Sequence, residues 1–474
     1  KMNEPAYLTY FRALCAIPHG SGQTAEISNF CVSFARAHHL DVTRDDYNNV
    51  VIRKPASVGY EDHPTVVIQG HLDMVCEKEA DCTADMTKDP LSLCFDGDKL
   101  FARGTTLGAD DGVAVAYALA VLASDDIVHP ALEVLLTTDE EIGMIGAAAL
   151  NPDLITGRTL LNLDSEEEGT LLAGCAGGAH MVLRMPITRV PCTGKRYVIR
   201  ISGLPGGHSG TEINMGHANA DYLLSDVLRC LAKQDGFALV SMAGGTKDNA
   251  IPREAEAVVL LPDDDAFVEN TLAALQAEKS AQYPADKEMR FDWMAGEMTT
   301  TDALDDVSLG LFLGLLEQLP NGVQSMSPFD PTLVQTSLNL GILRVEKDNV
   351  HATISVRSSV NAERDGLLRI IESCAETAHA TAQVGGNYPA WEYKQDSRLR
   401  DVMIAAYETC YGETPRVATI HAGLECGLFS DMWENLDCIS FGPRIDDIHT
   451  PRETLSLASA ARTWKFLLEV LKNL

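Results

Sequence analysis

Seven side chains suited to divalent-metal chemistry lie at the ends of short segments that predict β-strands. They are His71, Asp73, Asp110, Glu140, Glu141, Asp164 and His449. Imidazole and carboxylate groups together favour borderline divalent ions such as zinc, cobalt or manganese. Two such ions held close together can activate one water molecule and polarise a substrate carbonyl. The pattern therefore predicts a two-metal hydrolase.

His71 and Asp73 are two residues apart at the end of a predicted strand, so their side chains project to the same side. That spacing lets Asp73 accept a hydrogen bond from the second ring N–H of His71 and fix its tautomer. Alone, the H-x-D pattern is a weak signal, because a strand-end histidine is more often a hydrogen-bonded loop residue. Asp164, which follows the apolar stretch LLNL, and His449 gain meaning only as members of the set.

Asp110 and Asp111 precede the apolar stretch GVAVAYALAVLA, which predicts a buried helix. The ordinary interpretation is a helix N-cap, a role that aspartate fills well. An N-cap needs only one acid, and a carboxylate with two oxygens can bridge two cations. We assign the bridge to Asp110, and Asp111 either caps the helix or holds the backbone.

Glu140 and Glu141 follow the apolar strand predicted at 132–138 and open a helix predicted to continue through Leu150. Acids on the first turn of a helix are favourable without any catalytic role. In a hydrolase one of them binds metal and the other accepts the proton of the attacking water. We assign Glu140 as the base and Glu141 as the ligand, although spacing alone does not order them. The acid run 166–168 predicts a solvated surface.

Charge balance supports treating these residues as one set. The ligand carboxylates of Asp110, Glu141 and Asp164 together with one hydroxide carry four negative charges, which two divalent cations neutralise. A neutral cluster is less costly to enclose in protein. The strand-end positions also agree with the tendency of ligands to bind beyond the carboxyl ends of sheet strands.

The chain of 474 residues is long enough for more than one domain. Strand and helix signals alternate over the first third and again from about 390, which predicts an α/β fold of three layers around a mostly parallel sheet. Between them, alternating strands at 255–261 and 351–357 predict an inserted antiparallel α+β domain. The expected division is a catalytic domain of 1–185 and 390–474 and an inserted domain of 186–389, to which the resemblance described below assigns the role of a lid and dimerisation domain.

Composition excludes several classes of partner. The formal net charge of −31 disfavours nucleic acid and provides no basic segment for an anionic membrane. No apolar run approaches the roughly 20 residues of a membrane span. The 12 cysteines contain no C-x-x-C pair, which argues against zinc-finger and thioredoxin-like proteins and favours a reducing cytoplasm.

The chain resembles the cytosolic aminoacyl-histidine dipeptidases, a branch of the dinuclear-zinc peptidases that also includes carnosinases. The motifs occur in order over nearly the whole chain: HLDMV, GTTLGADDG, TTDEEIG, LDSEEEG, GGHSG, NAIPRE, HAGLECG and IHTPRE. HAGLECGLF and GCAGG separate this branch from related deacylases. The resemblance implies a cis peptide bond after Asp110. It also implies an Asn at the next position in close relatives, where this chain has Asp111.

The resemblance also implies a role for each site residue. One metal would be held by His71, Asp110 and Asp164, the other by Asp110, Glu141 and His449, with Glu140 as base and Asp73 as partner of His71. In the inserted domain, the implied substrate-contacting residues are His208, Asn249, Arg357 and Gly423. By itself His208 in GGHSG is better interpreted as a turn histidine beside glycines.

These observations predict a cytoplasmic, homodimeric metallo-dipeptidase with two divalent ions, zinc first and cobalt or manganese as alternatives. The expected substrates are small Xaa-His peptides, including β-Ala-His, and neither nucleic acid nor membrane is expected to bind. An N-acyl amino acid deacylase on the same scaffold is the nearest alternative. A catalytically silent, metal-stabilised scaffold protein is a further alternative, although a purely structural site has no use for a spare base such as Glu140.

Overall fold

A computed structural model describes residues 4–474 of the chain. The chain divides into two compact units, which do not coincide with contiguous halves of the sequence. Unit 1 extends to Cys175 and includes Tyr393–Thr419 and Leu424–Leu474, whereas unit 2 consists of Ala176–Glu392 and Ile420–Gly423. The sequence predicted an inserted domain of 186–389, without the segment Ile420–Gly423. That unit 2 acts as a lid and dimerisation domain stays a prediction.

Helices occur in both units. Over residues 4–474 the α-helices are α1 (Ala6–Cys15), α2 (Ala25–Ala37), α3 (Ala109–Ala123), α4 (Ile145–Ala149), α5 (Ala220–Leu231), α6 (Asp265–Gln282), α7 (Asp306–Gln318), α8 (Asn361–Thr377), α9 (Arg398–Tyr411), α10 (Glu425–Met432) and α11 (Leu457–Asn473). All residues of α3 from Ala109 to Leu122 are buried. An apolar sequence without a polar face is what such a central position requires.

Strands form two large sheets and one small one. Within the described residues they are β1 (Asp41–Arg44), β2 (Val50–Lys54), β3 (Val66–His71), β4 (Leu93–Asp96), β5 (Lys99–Ala102), β6 (Leu132–Thr137), β7 (Thr159–Asn162), β8 (Thr170–Cys175), β9 (Gly177–Pro186), β10 (Arg189–Ser202), β11 (Ala238–Gly244), β12 (Ala255–Leu261), β13 (Arg290–Leu304), β14 (Gly322–Met326), β15 (Val334–Val345), β16 (Asn349–Ser358), β17 (Thr381–Tyr388), β18 (Arg416–Ile420), β19 (Asp437–Ser440), β20 (Ile445–Asp446) and β21 (Thr454–Ser456). The small sheet has the order β20-β21-β5-β4.

The main sheet of unit 1 has the order β1-β2-β6-β3-β7-β19-β8-β18. Its four central strands, β6, β3, β7 and β19, are parallel. The β1–β2, β2–β6 and β8–β19 pairs are antiparallel. The predicted α/β class is confirmed, with a mixed sheet whose parallel part is its centre. β3 and β6 are buried along their entire length, because a central parallel strand is covered on both faces.

Unit 2 contains a nine-stranded sheet with the order β13-β10-β12-β11-β15-β16-β9-β17, and β14 pairs with β15. Its strand pairs are antiparallel. Helices α5 to α8 belong to the same unit and bury apolar faces that include Leu224, Leu272, Phe312 and Ile371. This is the α+β arrangement expected from the alternating strand patterns.

One predicted helix is much shorter than expected. The segment from Glu140 to Leu150 is helical only over α4, because residues before it have left-handed backbone: φ is 54° at Asp139, 120° at Gly143 and 57° at Met144. Such angles interrupt a right-handed helix. Glu140 and Glu141 therefore lie on a turn. No helix within residues 4–474 combines the length and apolarity needed to cross a membrane.

Candidate metal centre

The parallel strands β3, β6 and β7 of unit 1 bring their C-terminal ends to the same edge of the sheet. His71 at the end of β3 pairs in register with Thr137 at the end of β6, and Gln69 pairs with Asn162 at the end of β7. Residues that follow these ends therefore converge, although they are far apart in sequence. Four of the predicted site residues follow them: Asp73, Glu140, Glu141 and Asp164.

Asp110 lies between two histidines. Its Oδ1 is 3.1 Å from His71 Nε2, and its Oδ2 is 3.1 Å from His449 Nε2. The preceding Gly108 has a φ of +69°, and a Cβ there would lie only 2.8 Å from Met74 Sδ. Glycine therefore permits the turn that presents Asp110. The Asp110–Asp111 peptide bond is cis, as the resemblance implied.

The remaining carboxylates complete two groups around these histidines. Asp164 Oδ1 and Glu140 Oε2 lie 3.5 Å and 4.0 Å from His71 Nε2. Glu141 Oε1 lies 3.0 Å from His449 Nε2. That oxygen is buried and has no hydrogen-bond geometry to any partner in residues 4–474. These carboxylates and histidine rings therefore bring together more hydrogen-bond acceptors than donors.

This donor set fits a divalent cation. His71 Nδ1 lies 3.0 Å from the carbonyl oxygen of Asp73 and 3.4 Å from Asp73 Oδ1, so Nδ1 carries the ring proton of neutral imidazole. Nε2 then presents a lone pair to Asp110 and Asp164, a repulsive arrangement unless a proton or a metal ion lies between them. Ligand atoms close enough to share one cation occur in two overlapping groups, one of His71, Asp110 and Glu141 and one of His71, Asp111 and Asp164, so the structure contains a candidate metal site around His71.

Electrostatics support the same interpretation. Burial alone would lower the pKa of His71, but Asp164 and hydrogen bonds with neighbouring carboxylates raise it well above its ordinary value. The carboxylates of Asp110 and Glu141, 3.1 Å and 3.0 Å from its Nε2, raise the pKa of His449 to about 10. Both histidines hold protons tightly because carboxylates surround them. The same negative charges would stabilise a metal cation in their place.

Asp73 anchors this cluster but, unlike Asp110, does not lie between the two histidines. Its Oδ1 accepts the Glu140 N–H at 3.0 Å, and its Oδ2 accepts the Glu141 N–H at 3.3 Å and the Ser21 hydroxyl at 2.7 Å. Burial would raise the pKa of Asp73, but its interactions with His71 and Ser21 hold it below the ordinary value. One buried carboxylate thus fixes His71 and the Glu140–Glu141 turn together.

In unit 2, His208 is oriented by its own loop. Its Nδ1 accepts the backbone N–H groups of Gly210 and Thr211, both at 3.1 Å. The neutral ring therefore carries its proton on Nε2, which becomes a hydrogen-bond donor. Burial, followed by the charge of Arg357, lowers the pKa of His208 and favours this neutral form.

Arg357 lies beside the same loop. A Cβ on Gly210 would lie 3.0 Å from His208 Cε1 and 3.1 Å from Arg357 Nε, so the two side chains flank that glycine. Arg357 Nη1 donates to the Tyr388 hydroxyl at 3.3 Å, whereas its buried Nε has no hydrogen-bond partner in the described part of the chain. A guanidinium N–H with no acceptor can bind an anionic group.

The other two predicted substrate residues are near this cluster. The carbonyl oxygen of Asn249 accepts the Ser209 N–H at 2.9 Å, which joins its loop to the His208 loop. A Cβ on Gly423 would lie 2.7 Å from Tyr388 Cε2, so that position has no room for a side chain. Unit 2 therefore brings His208 and Arg357 together and places Asn249 and Gly423 beside them.

Comparisons with known proteins agree with this arrangement. Residues 67–473 match the peptidase family M20/M25/M40. The chain belongs to this family. It is 38% identical to the cytosol non-specific dipeptidase of Escherichia coli (strain K12) over 467 residues, or 98% of this chain and 96% of that protein.

Two solved structures share the fold. The crystal structure of an aminoacylhistidine dipeptidase from Vibrio alginolyticus is 36% identical, with a TM-score of 0.89, and the match covers 99% of this chain and 96% of that one. An aminopeptidase (PepT) from Bacillus cereus shares the fold at 16% identity and a TM-score of 0.58, over 99% of this chain and 98% of that one. The predicted membership of this peptidase family is confirmed.

Two buried acids of this M20 peptidase have roles that the sequence did not specify. Asp111 Oδ2 accepts the His71 N–H at 3.0 Å, so of its two predicted roles it holds the backbone. Glu425 Oε2 accepts hydrogen bonds from Gln69 Nε2 at 2.6 Å and Thr137 Oγ1 at 2.9 Å. Burial raises the pKa of Glu425 to about 7. The amide of Gln69 inside the apolar strand VVIQG was the available sequence signal for this network.

The prediction of a solvated acid run at 166–168 is wrong in part. Glu168 binds Arg462 through two contacts of 2.6 and 2.7 Å, and Glu167 binds Arg416 at 2.8 Å. Burial raises the pKa of Glu166 to about 7. The run therefore contributes ion pairs within unit 1, because arginines distant in sequence reach it.

In the same cluster of unit 2, His421 was also missed. Its Nε2 lies 2.8 Å from the Ser337 hydroxyl, and its Nδ1 is buried without a hydrogen-bond partner among residues 4–474. Burial, followed by Arg357 and His208, lowers the pKa of His421 to about 4. The motif HAGLECG contained this histidine, but nothing in the spacing distinguished it from a loop residue.

Proposed function

We propose that this M20 peptidase is a metal-dependent dipeptidase that hydrolyses Xaa-His dipeptides, including β-Ala-His. The observation that carries the proposal is the position of Asp110, whose two carboxylate oxygens each lie 3.1 Å from a different histidine. A bridging carboxylate of this kind is suited to a pair of cations. The names of the Escherichia coli and Vibrio alginolyticus relatives support the dipeptide substrate.

Two sets of residues would hold the ions. The first set is His71, Asp110 and Asp164, and the second is Asp110, Glu141 and His449. Their nitrogen and oxygen atoms suit zinc, with cobalt or manganese as alternatives. When bound, two divalent ions would polarise the substrate carbonyl and lower the pKa of a water molecule.

Glu140 is the residue that accepts and returns the proton. It belongs to neither ligand set, and its Oε2 lies 4.0 Å from His71 Nε2. Burial raises the pKa of Glu140 well above its ordinary value, which makes its carboxylate a stronger base. Asp73 holds the Glu140 backbone at 3.0 Å, so the base stays in place while it takes the proton of water and delivers it to the leaving amine.

Residues of unit 2 bind the substrate. His208 donates from Nε2 to the oxygen of the scissile carbonyl, a contact that strengthens as negative charge develops on that atom. Arg357 binds the terminal carboxylate, for which a planar guanidinium is well shaped. Asn249 and Gly423 border the same ligand. Whether His208 serves its own subunit or a partner is decided by mixing His208→Gln and Glu140→Gln subunits and measuring recovered activity.

The protein acts as a cytoplasmic homodimer. Strand β13 lies at an edge of the unit 2 sheet and exposes Met294 and Met298, which are 63% and 59% accessible. An open strand edge with apolar side chains is suited to pairing with a second copy. Sedimentation of the wild-type protein and of Met298→Lys tests this, and a wild-type monomer would contradict it.

A substrate panel separates the candidate activities. Gly-His, β-Ala-His and N-acetylhistidine are assayed before chelation, after chelation, and after zinc, cobalt or manganese is restored. We expect hydrolysis of the dipeptides only in the presence of metal. Preference for N-acetylhistidine would favour a deacylase. Cleavage that survives complete metal removal, or no cleavage by the metal-loaded protein, would contradict the proposal.

A further inference from the structure

The segment that leads into the regular part of α3 has no capping side chain of its own. Gly108 provides no side-chain acceptor for the backbone N–H groups around it, and the backbone at Asp110 and Asp111 is not helical. Unpaired N–H groups at the start of a buried helix are costly. The acceptor comes instead from Glu453, more than 340 positions later in the sequence.

The Glu453 carboxylate binds four successive N–H groups. Oε2 accepts from Leu107 at 2.8 Å and Gly108 at 3.0 Å, and Oε1 accepts from Ala109 at 2.9 Å and Asp110 at 3.4 Å. Glu453 is only 2% exposed. A buried acid that accepts hydrogen bonds from several backbone N–H groups is held firmly.

This contact relieves Asp110 of the capping role that its sequence position suggests. The backbone N–H of Asp110 is bound by Glu453, while both of its side-chain oxygens face histidines. A capping aspartate would direct an oxygen at the helix backbone instead. Glu453 therefore sets the orientation in which Asp110 can bridge.

The same residue also fixes the segment that carries His449. Strands β20 and β21 pair at Asp446 and Thr454, and the turn between them contains both His449 and Glu453. His449 has a left-handed backbone with a φ of 60°, and 45% of its side chain is exposed. Unlike the buried His71, it depends on this turn for its position.

We propose that Glu453 is a positioning residue that sets the distance between Asp110 and His449. It thereby controls the affinity for the ion held by Asp110, Glu141 and His449. The inference rests on the proposed two-metal function. The other ion depends less on Glu453, because Asp73 and Asp111 hold His71 independently.

Glu453→Gln tests the proposal with little change in size. An amide keeps one acceptor oxygen but turns an NH₂ group toward backbone N–H donors, so two of the four donors lose their partner. The matched control is Glu133→Gln. Glu133 is 4% exposed and binds the N–H groups of Thr156 and Gly157 at 2.9 and 2.8 Å in another loop of unit 1.

Metal-free wild type and both variants are titrated with zinc by equilibrium dialysis, and kcat and KM for Gly-His are measured. We expect two ions per wild-type chain. In Glu453→Gln the first ion should bind within about twofold of wild type, and the second at least about tenfold more weakly. kcat should fall while KM stays within about twofold. Glu133→Gln should bind both ions as the wild type does.

Three results would overturn the inference while leaving the proposed function intact. Glu453→Gln could bind both ions with wild-type affinity, or it could bind both ions equally more weakly. Alternatively, Glu133→Gln could lose as much affinity for the second ion as Glu453→Gln does, which would indicate that any buried substitution loosens unit 1. Wild-type protein that binds one ion would instead contradict the two-metal function itself. If circular dichroism shows that Glu453→Gln is unfolded, Glu453→Asp replaces it, and wild-type affinity for the second ion in that variant would overturn the inference.

Discussion

The polar cluster of unit 1 and that of unit 2 differ in which hydrogen-bonding groups lack partners. In unit 1, carboxylates and imidazole lone pairs converge with too few protons among them, and buried hydrogen bonds from Asp73 and Asp111 hold them at strand ends. In unit 2, the buried Nε–H of Arg357 lacks an acceptor, and the buried Nδ1 of His421 lacks a hydrogen-bond partner, within the described residues. The first cluster is therefore suited to binding cations, and the second to binding an anionic or carbonyl group.

The clusters also differ in how rigidly they are built. The unit 1 residues follow central β-strands whose parallel register leaves little freedom. His208 depends on a loop that begins at Gly206 and Gly207, with φ values of 71° and 134°, and His421 belongs to the short segment Ile420–Gly423. Changes to the metal-centre residues of unit 1 should therefore abolish chemistry. In unit 2, a change at Arg357 should alter substrate binding, whereas a change at His208 should also lower turnover.

Asp110→Asn should have the largest effect. The amide keeps the shape but removes the charge between His71 and His449, so both proposed ions lose a ligand. We expect kcat/KM to fall about ten-thousandfold, which corresponds to about 5.4 kcal/mol of transition-state stabilisation. Metal analysis should show fewer than two ions per chain. Full metal content with unchanged turnover would remove Asp110 from the bridging role.

Glu140→Gln should lower kcat about a thousandfold while leaving the metal content intact. The reason is that Glu140 lies outside both proposed ligand sets and supplies only the proton-accepting oxygen. The measurement is kcat for Gly-His together with zinc per chain. If the variant loses metal instead, Glu140 is a ligand and the assignments of Glu140 and Glu141 must be exchanged.

The sequence indicated the residues that the unit 1 cluster brings together for a physical reason. Acids and histidines directly after apolar strands stand out, and parallel strands bring their ends to one edge. The prediction of a helix from Glu140 was wrong because positive φ angles at Gly143 and Met144 interrupt it, and the residue type of Met144 gives no sign of this.

Partners far apart in sequence could not be predicted. Glu453 binds the Leu107 N–H across 346 positions, and Glu425 binds Gln69 across 356. Each glutamate has the same local appearance as one on a solvated helix or turn. Only the tertiary fold determines which backbone or side-chain donor it reaches, so these positioning residues emerge from the structure alone.

Arg357→Lys should sharpen the contrast by changing binding more than chemistry. Lysine keeps the positive charge but loses the planar fork that suits a carboxylate. We expect KM for Gly-His to rise about tenfold, about 1.4 kcal/mol, with kcat within about twofold. The matched substrate is Gly-His amide, which lacks the terminal carboxylate and should be equally poor for both proteins. An equal KM rise for both substrates would place Arg357 elsewhere on the ligand.

Asp221→Asn tests whether an unsatisfied group in unit 2 lowers stability. Asp221 is fully buried in α5, and neither carboxylate oxygen has a hydrogen-bond partner in residues 4–474. Burial raises its pKa well above the ordinary value, although Arg344 opposes the shift. The unfolded chain therefore ionises at lower pH than the folded one. This group's contribution to the free energy of unfolding is complete below about pH 4 and falls by up to about 1.4 kcal/mol per pH unit above it.

Asparagine removes that dependence, so Asp221→Asn should be more stable than wild type by about 1 kcal/mol at pH 7 and should lose this advantage near pH 4. Denaturant unfolding of the wild type and of Asp221→Asn at pH 7 and at pH 4 measures the difference in the free energy of unfolding. Asp286→Asn is the matched control, because Asp286 accepts hydrogen bonds from the Ala218 N–H at 2.7 Å and from His217 at 2.6 Å. That variant should be less stable at pH 7. A destabilised Asp221→Asn at pH 7 would mean that the Asp221 carboxylate has hydrogen-bond partners in solution.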